Sequence, residues 1–141
     1  MSKLLDMAID LSQYAHEGQV DKAGQPYFLH VKAVADGVDT DELKTIAYLH
    51  DVCEDTPFGL YDLTELGFPD KIVQSVRVLT RAKGTPYSEY IAAVKQDDNA
   101  RKVKISDLKH NMDLSRIPEP TEADYKRVEK YRKALDYLIT D

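Results

Sequence analysis

The sequence predicts an all-α protein that folds as a single-domain helical bundle. Apolar residues recur at helical spacing along most of the 141-residue chain, which indicates amphipathic helices that face a shared core. No stretch shows the sustained alternation of a half-buried strand, and no Asn-Gly hairpin signal is present. The alternation in residues 103–105 is too short to outweigh its helical flanks. Because chains of this length usually form one domain, we expect residues 1–141 to be one domain.

The first of the seven or eight predicted helices lie in residues 1–67. Serine, threonine and aspartate before an apolar stripe are common N-caps, and glycine often follows the last helical residue. Ser2 and Gly18 bound the first helix in this way, and Asp39 or Thr40 could cap the third. The apolar positions of these helices are Leu4, Ala8, Leu11 and Ala15; Phe28, Val31, Val34 and Ala35; Leu43, Ile46, Ala47 and Leu49; and residues 61–66.

The remaining helices are predicted after residue 67, with breaks at the loop 81–86 and at Pro118 and Pro120. Residues 97–99 are candidate caps for a helix that begins near residue 100. The last helix follows the proline-rich break and has a long apolar stripe. The apolar positions and ranges of these helices are Ile72, Val73, Val76 and Leu79; Tyr87, Tyr90, Ile91 and Val94; residues 100–112; and residues 121–139.

Composition excludes several classes of protein. The chain has 19 basic and 25 acidic residues and a formal net charge of -6, whereas a duplex nucleic-acid binder usually has a basic excess. The single cysteine, Cys53, excludes an internal disulfide framework, a zinc ribbon and an iron–sulfur centre. No apolar run approaches the roughly 18 residues of a membrane span, and residues 1–10 do not resemble a signal peptide. We therefore expect a cytoplasmic protein without nucleic-acid or membrane partners.

Ionisable side chains are crowded in the segment HDVCED, residues 50–55. If the third helix continues through this segment, His50 and Glu54 lie at i and i+4, and so do Asp51 and Asp55. Neighbouring carboxylates repel one another and raise each other's pKa unless a cation compensates them. A divalent metal ion is the simplest such cation.

Two further segments offer metal ligands. Asp107 and Asn111 again lie at i and i+4, and His30 opens the second predicted helix. Histidine and carboxylate groups from three segments could converge on one ion, and this mixture suits Mn²⁺, Fe²⁺, Ni²⁺ or Zn²⁺ better than Mg²⁺. Taken singly, His30 could also be a core or capping histidine, and Asp107 a solvated helix residue.

The order of these residues resembles the HD superfamily of metal-dependent phosphohydrolases. The patterns PY-x-x-H, HD-x-x-ED and D-x-x-x-N occur in register, and the matching stretches span nearly the whole chain. This fuller pattern is similar to the RelA/SpoT-type hydrolase domain and to its stand-alone relatives, the small alarmone hydrolases. The matching stretches are AHEGQVDKAGQPYFLH (15–30), LHDVCEDT (49–56), LTRAKGTPY (79–87) and VKISDLKHNM (103–112).

The resemblance implies a helical bundle of the HD-domain type that holds one Mn²⁺ ion or another divalent transition metal. It implies that Glu54 and Asp55 activate or place the attacking water, and the residues leave open which of them is the base. Asn111 falls on an asparagine that helps to hold the nucleotide. The implied reaction removes the 3′-pyrophosphate of the stringent-response alarmones ppGpp and pppGpp, leaving GDP or GTP. The implied metal ligands are His30, His50, Asp51 and Asp107.

A diphosphate leaving group requires cations, and Lys22, Arg81 and Lys104 lie in or near the matching stretches. Two positions depart from the pattern of the long alarmone enzymes. Asp21 stands where an arginine that contacts the nucleotide is usual, and Leu114 where a polar residue is common. These departures predict a divergent nucleotide pocket beside a complete set of metal positions.

Two other hypotheses are compatible with the same residues. The substrate of the same metal site could be another nucleotide or dinucleotide, such as a nucleoside monophosphate or NADPH. The chain could instead be a helical nucleotide-binding or interaction module without catalysis, which predicts no bound metal. The intact HD and ED pairs favour an enzyme with a small nucleotide substrate.

Overall fold

The computed structural model describes residues 2–140, except for the side chain of Asp55. Within this part all regular secondary structure is helical, with a 3₁₀ turn at Leu114–Arg116 and an isolated bridge between Val20 and Pro26. The all-α prediction is therefore confirmed. None of the described helices is both long and apolar enough to cross a membrane. The α-helices are α1 (Lys3–Ala15), α2 (Tyr27–Asp36), α3 (Asp41–Leu49), α4 (Val52–Asp55), α5 (Leu60–Glu65), α6 (Asp70–Leu79), α7 (Tyr87–Gln96), α8 (Asp98–Asn111) and α9 (Glu122–Ile139).

Side-chain caps set the starts of four helices. Ser2 Oγ accepts a hydrogen bond at 3.2 Å from the amide three residues further on, as predicted. Among the alternatives left open by the sequence, Thr40 caps α3 and Asp97 caps α8. Thr121 and Asp124 form a reciprocal capping box at the start of α9. Each cap satisfies amide groups that the first turn of a helix leaves without partners.

The third predicted helix is interrupted at His50 and Asp51, so the prediction of one continuous helix through HDVCED is wrong. α3 ends at Leu49, and the short helix α4 begins at Val52. The His50 ring donates from Nδ1 to the carbonyl oxygen of Ala47 at 2.5 Å. The His50 side chain therefore occupies the Ala47 carbonyl, which in a continuing α-helix would accept a hydrogen bond from the amide of Asp51. With this break the described residues form nine α-helices, compared with the seven or eight predicted, and the His-Asp pair lies in a turn.

The helix α3 lies at the centre of the fold. It contacts α1, α2, α6 and α8, and its residues 45–49 are all buried. Because α3 is buried on several sides, His50, which follows its last turn, lies in the interior of the bundle. The largest fully buried side chains around it come from several helices and include Val31, Val34, Val76, Val103 and Leu108.

The helices α2 and α8 approach closely where α2 ends at Gly37. Ser106 Oγ donates to the carbonyl oxygen of Val34 at 2.8 Å, and a Cβ added to Gly37 would lie 2.3 Å from Ser106 Oγ. The absence of a side chain at Gly37 therefore permits this approach. The consequence is that His30 on α2 and Asp107 on α8 come within hydrogen-bonding distance.

Replacing Gly37 with alanine is expected to destabilise the protein by about 1–2 kcal/mol, because the new Cβ displaces the Ser106 hydroxyl from its acceptor. Adding Ser106→Ala removes the clashing atom, so the double variant should regain most of the stability lost by Gly37→Ala. Chemical denaturation of both single variants and the double variant measures this coupling. Strictly additive losses would show that the two residues do not touch.

Candidate metal centre and active site

Four residues that the sequence singled out as metal ligands meet in the interior of the bundle. His30 lies on α2, His50 and Asp51 lie at the break after α3, and Asp107 lies on α8. Each offers one ligand atom, and these atoms lie within 4.8 Å of one another. All except the half-buried Asp51 are buried. The structure thus brings the three segments together, and metal binding by them stays a prediction.

His50 presents Nε2 to the cluster because its other ring nitrogen is occupied by the Ala47 carbonyl. Nε2 lies 3.0 Å from Asp51 Oδ2 and 3.4 Å from Asp107 Oδ1. It is nevertheless buried without an aligned hydrogen bond to any described residue. A buried nitrogen that faces two carboxylates in this way fits a ligand to a shared cation, with the backbone carbonyl fixing the ring tautomer.

His30 is oriented by a second histidine. Its Nε2 lies 2.9 Å from Asp107 Oδ1, and its Nδ1 lies 2.7 Å from Nδ1 of His110. Since one of two hydrogen-bonded imidazole nitrogens must donate, a proton on His30 Nδ1 leaves Nε2 available as a ligand. His110 is therefore a support for His30 in this arrangement.

Both carboxylates of the cluster are held by side chains around them. The Tyr27 hydroxyl donates to Asp51 Oδ2 at 2.5 Å. Lys104 Nζ donates to Asp107 Oδ2 at 2.9 Å, and Asn111 Nδ2 donates to Asp107 Oδ1 at 3.2 Å. Two residues predicted to bind substrate, Lys104 and Asn111, thus also fix a predicted metal ligand.

Buried cations balance the charge of these carboxylates. Burial would raise the pKa of Asp107, but Lys104 and the two histidines together hold this pKa well below its ordinary value. Burial would lower the pKa of His50, but Asp51 and Asp107 raise this pKa well above its ordinary value. A protonated His50 therefore supplies positive charge to the two carboxylates, and a divalent ion could replace that proton.

A cavity of about 230 Å³ opens onto the cluster, and we call it the metal-side cavity. Asp51 and Asp107 form part of its wall, and Glu54 lines it beside them. The side chain of Asp55, the other predicted catalytic group, lies outside the described part of the structure. The metal-side cavity thus combines carboxylates with cations, and its basic residues are Arg81, Lys104 and Lys130.

The ring of Tyr87 organises two of these cations. The Arg81 guanidinium carbon lies 5.3 Å from the ring centroid, and Lys130 Nζ lies 4.0 Å from it. Arg81 Nε also donates to the carbonyl oxygen of Thr85 at 2.9 Å. Cation–π contacts hold both charges at the cavity wall, and the hydrogen bond adds to the support of Arg81.

A second cavity of about 370 Å³, the outer cavity, adjoins the metal-side cavity. Tyr27, Asn111 and Tyr131 line both cavities and separate them. The predicted Lys22 lines the outer cavity. A larger cavity of about 640 Å³ between α7 and α9 contains none of the four cluster residues. The predicted substrate-binding residues are therefore divided between the two cavities. Arg81 and Lys104 line the metal-side cavity, Lys22 lines the outer cavity, and Asn111 lines both.

Sequence reasoning missed three residues of these cavities. Tyr27 stands within the PY-x-x-H pattern, but the pattern does not reveal its bond to Asp51. Tyr131 belongs to the predicted apolar stripe of the last helix, yet it lines both cavities. Lys130 gives no sequence signal, because its place beside Tyr87 depends on how α9 packs against α7.

Cys53 lies next to the cluster in sequence but is not a nucleophile. It is partly buried and packs against the apolar core. Burial raises the pKa of its thiol to about 11, so the reactive thiolate is scarce at neutral pH. This environment is that of a small apolar residue at the edge of the core.

Comparison with known proteins gives relatives of one kind. No protein-family model matches the chain. The chain is 30% identical to the "Probable GTP pyrophosphokinase" of Mycobacterium leprae, over 96% of its own length and 18% of that protein. It is 32% identical to the "Bifunctional (p)ppGpp synthase/hydrolase SpoT" of Escherichia coli, over 78% of its length and 18% of that protein. The chain thus spans less than a fifth of the length of these curated relatives.

A solved structure described as "A metazoan ortholog of SpoT hydrolyzes ppGpp and plays a role in starvation responses" has the same fold. The TM-score is 0.80 at 22% identity, covering 99% of this chain and 87% of that one. The all-helical fold and the cluster of His30, His50, Asp51 and Asp107 agree with an HD-type hydrolase domain. By sequence the chain is similar to a part of the RelA/SpoT proteins, and by fold it is similar to the SpoT ortholog.

Proposed function

We propose that the chain hydrolyses the 3′-diphosphate of ppGpp and pppGpp, releasing pyrophosphate and GDP or GTP. The observation that carries the proposal is the buried four-residue cluster at the wall of a cavity with carboxylates and cations. Support for the substrate comes from relatives named as (p)ppGpp synthase/hydrolases and from the ppGpp-hydrolysing protein with the same fold. We also propose that residues 1–141 act as one HD domain in the cytoplasm.

The cluster residues fit a divalent transition metal, and we propose Mn²⁺ as the ion. Imidazole and carboxylate donors in this mixture suit such ions. When bound, the ion would lower the pKa of a water molecule toward neutrality and offset charge on the phosphoryl oxygens. The proposed ligands are His30, His50, Asp51 and Asp107.

Glu54 and Asp55 are the proposed proton acceptors for the attacking water. Water attacks the phosphorus bonded to the ribose 3′ oxygen, and one of these carboxylates takes its proton. The bond between this phosphorus and the 3′ oxygen breaks, and the 3′ oxygen gains a proton to become a hydroxyl group. The position of Glu54 in the lining of the metal-side cavity supports this role.

The cations of the metal-side cavity are proposed to bind the diphosphate. Arg81 and Lys130 flank Tyr87 at the cavity wall. Lys104 shares its charge with Asp107. Guanidinium and ammonium groups in a confined site stabilise phosphate oxygens, and they do so more strongly as charge develops on the oxygens of the attacked phosphorus.

The direct assay is incubation of the protein with Mn²⁺ and ppGpp, followed by chromatographic separation of the nucleotides. We expect GDP and pyrophosphate in equal amounts, with no product when a chelator removes the metal. A metal-loaded protein that leaves ppGpp intact and cleaves other nucleotides would overturn the proposal.

A second candidate keeps the metal site and changes the substrate to another nucleotide or dinucleotide. The observation that favours it is Asp21, which lines the outer cavity where the long alarmone enzymes usually carry an arginine. A substrate panel of ppGpp, nucleoside monophosphates and NADPH at equal concentrations separates the two candidates. The preferred substrate is the one with the highest kcat/KM.

Replacing Arg81 with glutamine is expected to raise the KM for ppGpp about tenfold, because one charge-assisted contact to phosphate is lost. Lys83→Gln provides a matched control, since Lys83 is exposed on the same loop and lines neither cavity. Steady-state kinetics of both variants measure the KM for ppGpp. A similar rise in KM for the two variants would indicate a general charge effect instead of a contact at Arg81.

A further inference from the structure

An ion pair between distant segments closes one side of the outer cavity. Arg116, at the end of the 3₁₀ turn, donates from Nη1 to Asp21 Oδ2 at 2.8 Å. Asp21 lies in the loop between α1 and α2, and both residues line the outer cavity. The pair therefore fixes a guanidinium beside the wall formed by Tyr27, Asn111 and Tyr131.

Asp21 is fixed by its own loop and acts as an anchor. Its Oδ1 accepts hydrogen bonds from the amides of Ala23 at 2.9 Å and Gln25 at 3.0 Å. Burial would raise the pKa of Asp21, but these amides and the Arg116 guanidinium hold the pKa below its ordinary value. Both oxygens of an ionised Asp21 are thus engaged, and the side chain orients Arg116 rather than a ligand.

Arg116 retains unused hydrogen-bond donors. A guanidinium group has five N–H donors, and the hydrogen bond of Arg116 to a described residue is the one from Nη1. Its Nε is buried and has no hydrogen-bond partner there. A buried charged donor without an acceptor is costly. The side chain as a whole is 31% exposed, so a ligand can reach the rest of the guanidinium group.

The surroundings of Arg116 favour an anionic ligand. Lys22 and Arg127 also line the outer cavity. The cavity contains one further carboxylate, Asp113, which accepts hydrogen bonds from the amide and hydroxyl of Ser115. The lining of the outer cavity thus has three cations and two carboxylates, Asp21 and Asp113. One of the cations, Arg127, also forms an ion pair with Asp124, which lies outside the lining. Phosphate oxygens match a guanidinium fork in geometry and charge.

We infer that Arg116, held by Asp21, binds the 5′ phosphates of the substrate while the 3′-diphosphate lies at the metal-side cavity. The inference rests on the proposed function. ppGpp has an anionic group at each end of its ribose, and each of the two adjoining cavities has basic side chains in its lining. The arm that is cleaved must lie beside the proposed water-activating residue Glu54, which lines the metal-side cavity with Asp51 and Asp107, so the other arm faces the outer cavity and Arg116.

The kinetic experiment compares two substrates with Mn²⁺-loaded protein: ppGpp, and guanosine 3′-diphosphate, which has no 5′ phosphates. Arg116→Gln should raise the KM for ppGpp about tenfold, with kcat unchanged, and leave the KM for the second substrate within about twofold. Arg132→Gln is the matched control, because Arg132 is an exposed arginine that lines neither cavity. An equal rise in KM for both substrates, or no rise for either, overturns the inference.

An equilibrium measurement separates this inference from the proposed function. GDP has only the 5′ arm, so calorimetry should show about tenfold weaker GDP binding to Arg116→Gln and unchanged guanosine binding. Asp21→Asn, which keeps Arg116 but weakens its anchor, should show a smaller loss of GDP affinity. Equal GDP affinity of wild type and Arg116→Gln overturns the inference even if ppGpp is hydrolysed. Absence of ppGpp hydrolysis with Arg116-dependent GDP binding instead overturns the proposed function. If Arg116→Gln does not fold, Arg116→Lys replaces it, with the same expected direction and the same contradicting result.

Discussion

Replacing Asp51 with asparagine is expected to lower ppGpp turnover by at least about a thousandfold and to abolish tight Mn²⁺ binding. The amide removes the negative charge of one proposed ligand, and its oxygen can still accept the hydrogen bond from Tyr27. The fold should therefore survive. Turnover with saturating Mn²⁺ and the metal content after gel filtration are the two measurements.

The control for Asp51→Asn is Asp36→Asn. Asp36 is an exposed aspartate at the end of α2. It pairs with Lys32 and is not one of the four cluster residues. Wild type and Asp36→Asn should gain thermal stability when Mn²⁺ is added, since an ion that binds only the native state stabilises it. Asp51→Asn should gain none. An Asp51→Asn variant that retains both turnover and metal would show that this carboxylate is not a ligand.

The largest effect on folding is expected at Asp107. Replacing it with asparagine leaves the Lys104 ammonium, whose side chain is 13% exposed, without its carboxylate. Removing one partner leaves the other charge buried and unpaired. We therefore expect the free energy of unfolding to fall by about 3 kcal/mol. Urea denaturation of the metal-free protein measures this loss without a contribution from metal binding.

The double variant Asp107→Asn with Lys104→Met tests the cause of that loss. Methionine removes the buried charge and fills similar space, so the double variant should be more stable than Asp107→Asn alone. A double variant that is less stable than Asp107→Asn would mean that Lys104 contributes through other contacts. Its ammonium also lies 5.3 Å from the ring centroid of Tyr90, which is such a contact.

Much of the fold follows from local sequence signals. Helical spacing places α1, α6, α7 and α9 close to their observed bounds. The capping signal at Ser2 is also correct, and Thr40, one of the two candidates before α3, is the observed cap, because a cap depends on residues within one turn. The break at His50 could not be predicted in this way. It depends on a ring nitrogen competing for the Ala47 carbonyl, and only the folded chain shows that competition.

The sequence predicted those residues of the site that belong to recognisable motifs. The motifs and their resemblance to known proteins named His30, His50, Asp51 and Asp107, and the structure brings these residues together. Spacing alone could not predict the packing of α2 against α8 at Gly37, which determines how close their side chains come. It also could not show that Lys104 is paired with Asp107.

The sequence did not reveal those cavity residues that come together through contacts between segments distant in sequence. In the sequence, Asp21 is a departure from a family pattern, and Arg116 belongs to none of the motifs. They meet because the loop before α2 and the 3₁₀ turn after α8 lie on the same side of the bundle. Lys130 likewise reaches the metal-side cavity only because α9 packs against α7. Such pairs depend on tertiary contacts between segments that no local period encodes.

Calorimetric titration of metal-free protein with Mn²⁺ tests the central claim, which is that the buried cluster holds one divalent ion. We predict saturable binding of one ion per chain, with proton release detected as a dependence of the heat on the ionisation enthalpy of the buffer. Proton release is expected because Asp51 and Asp107 raise the pKa of His50 in the absence of metal. The same titration of Asp51→Asn should show no tight binding. Absence of binding to wild type, or equal binding to Asp51→Asn, would contradict the account.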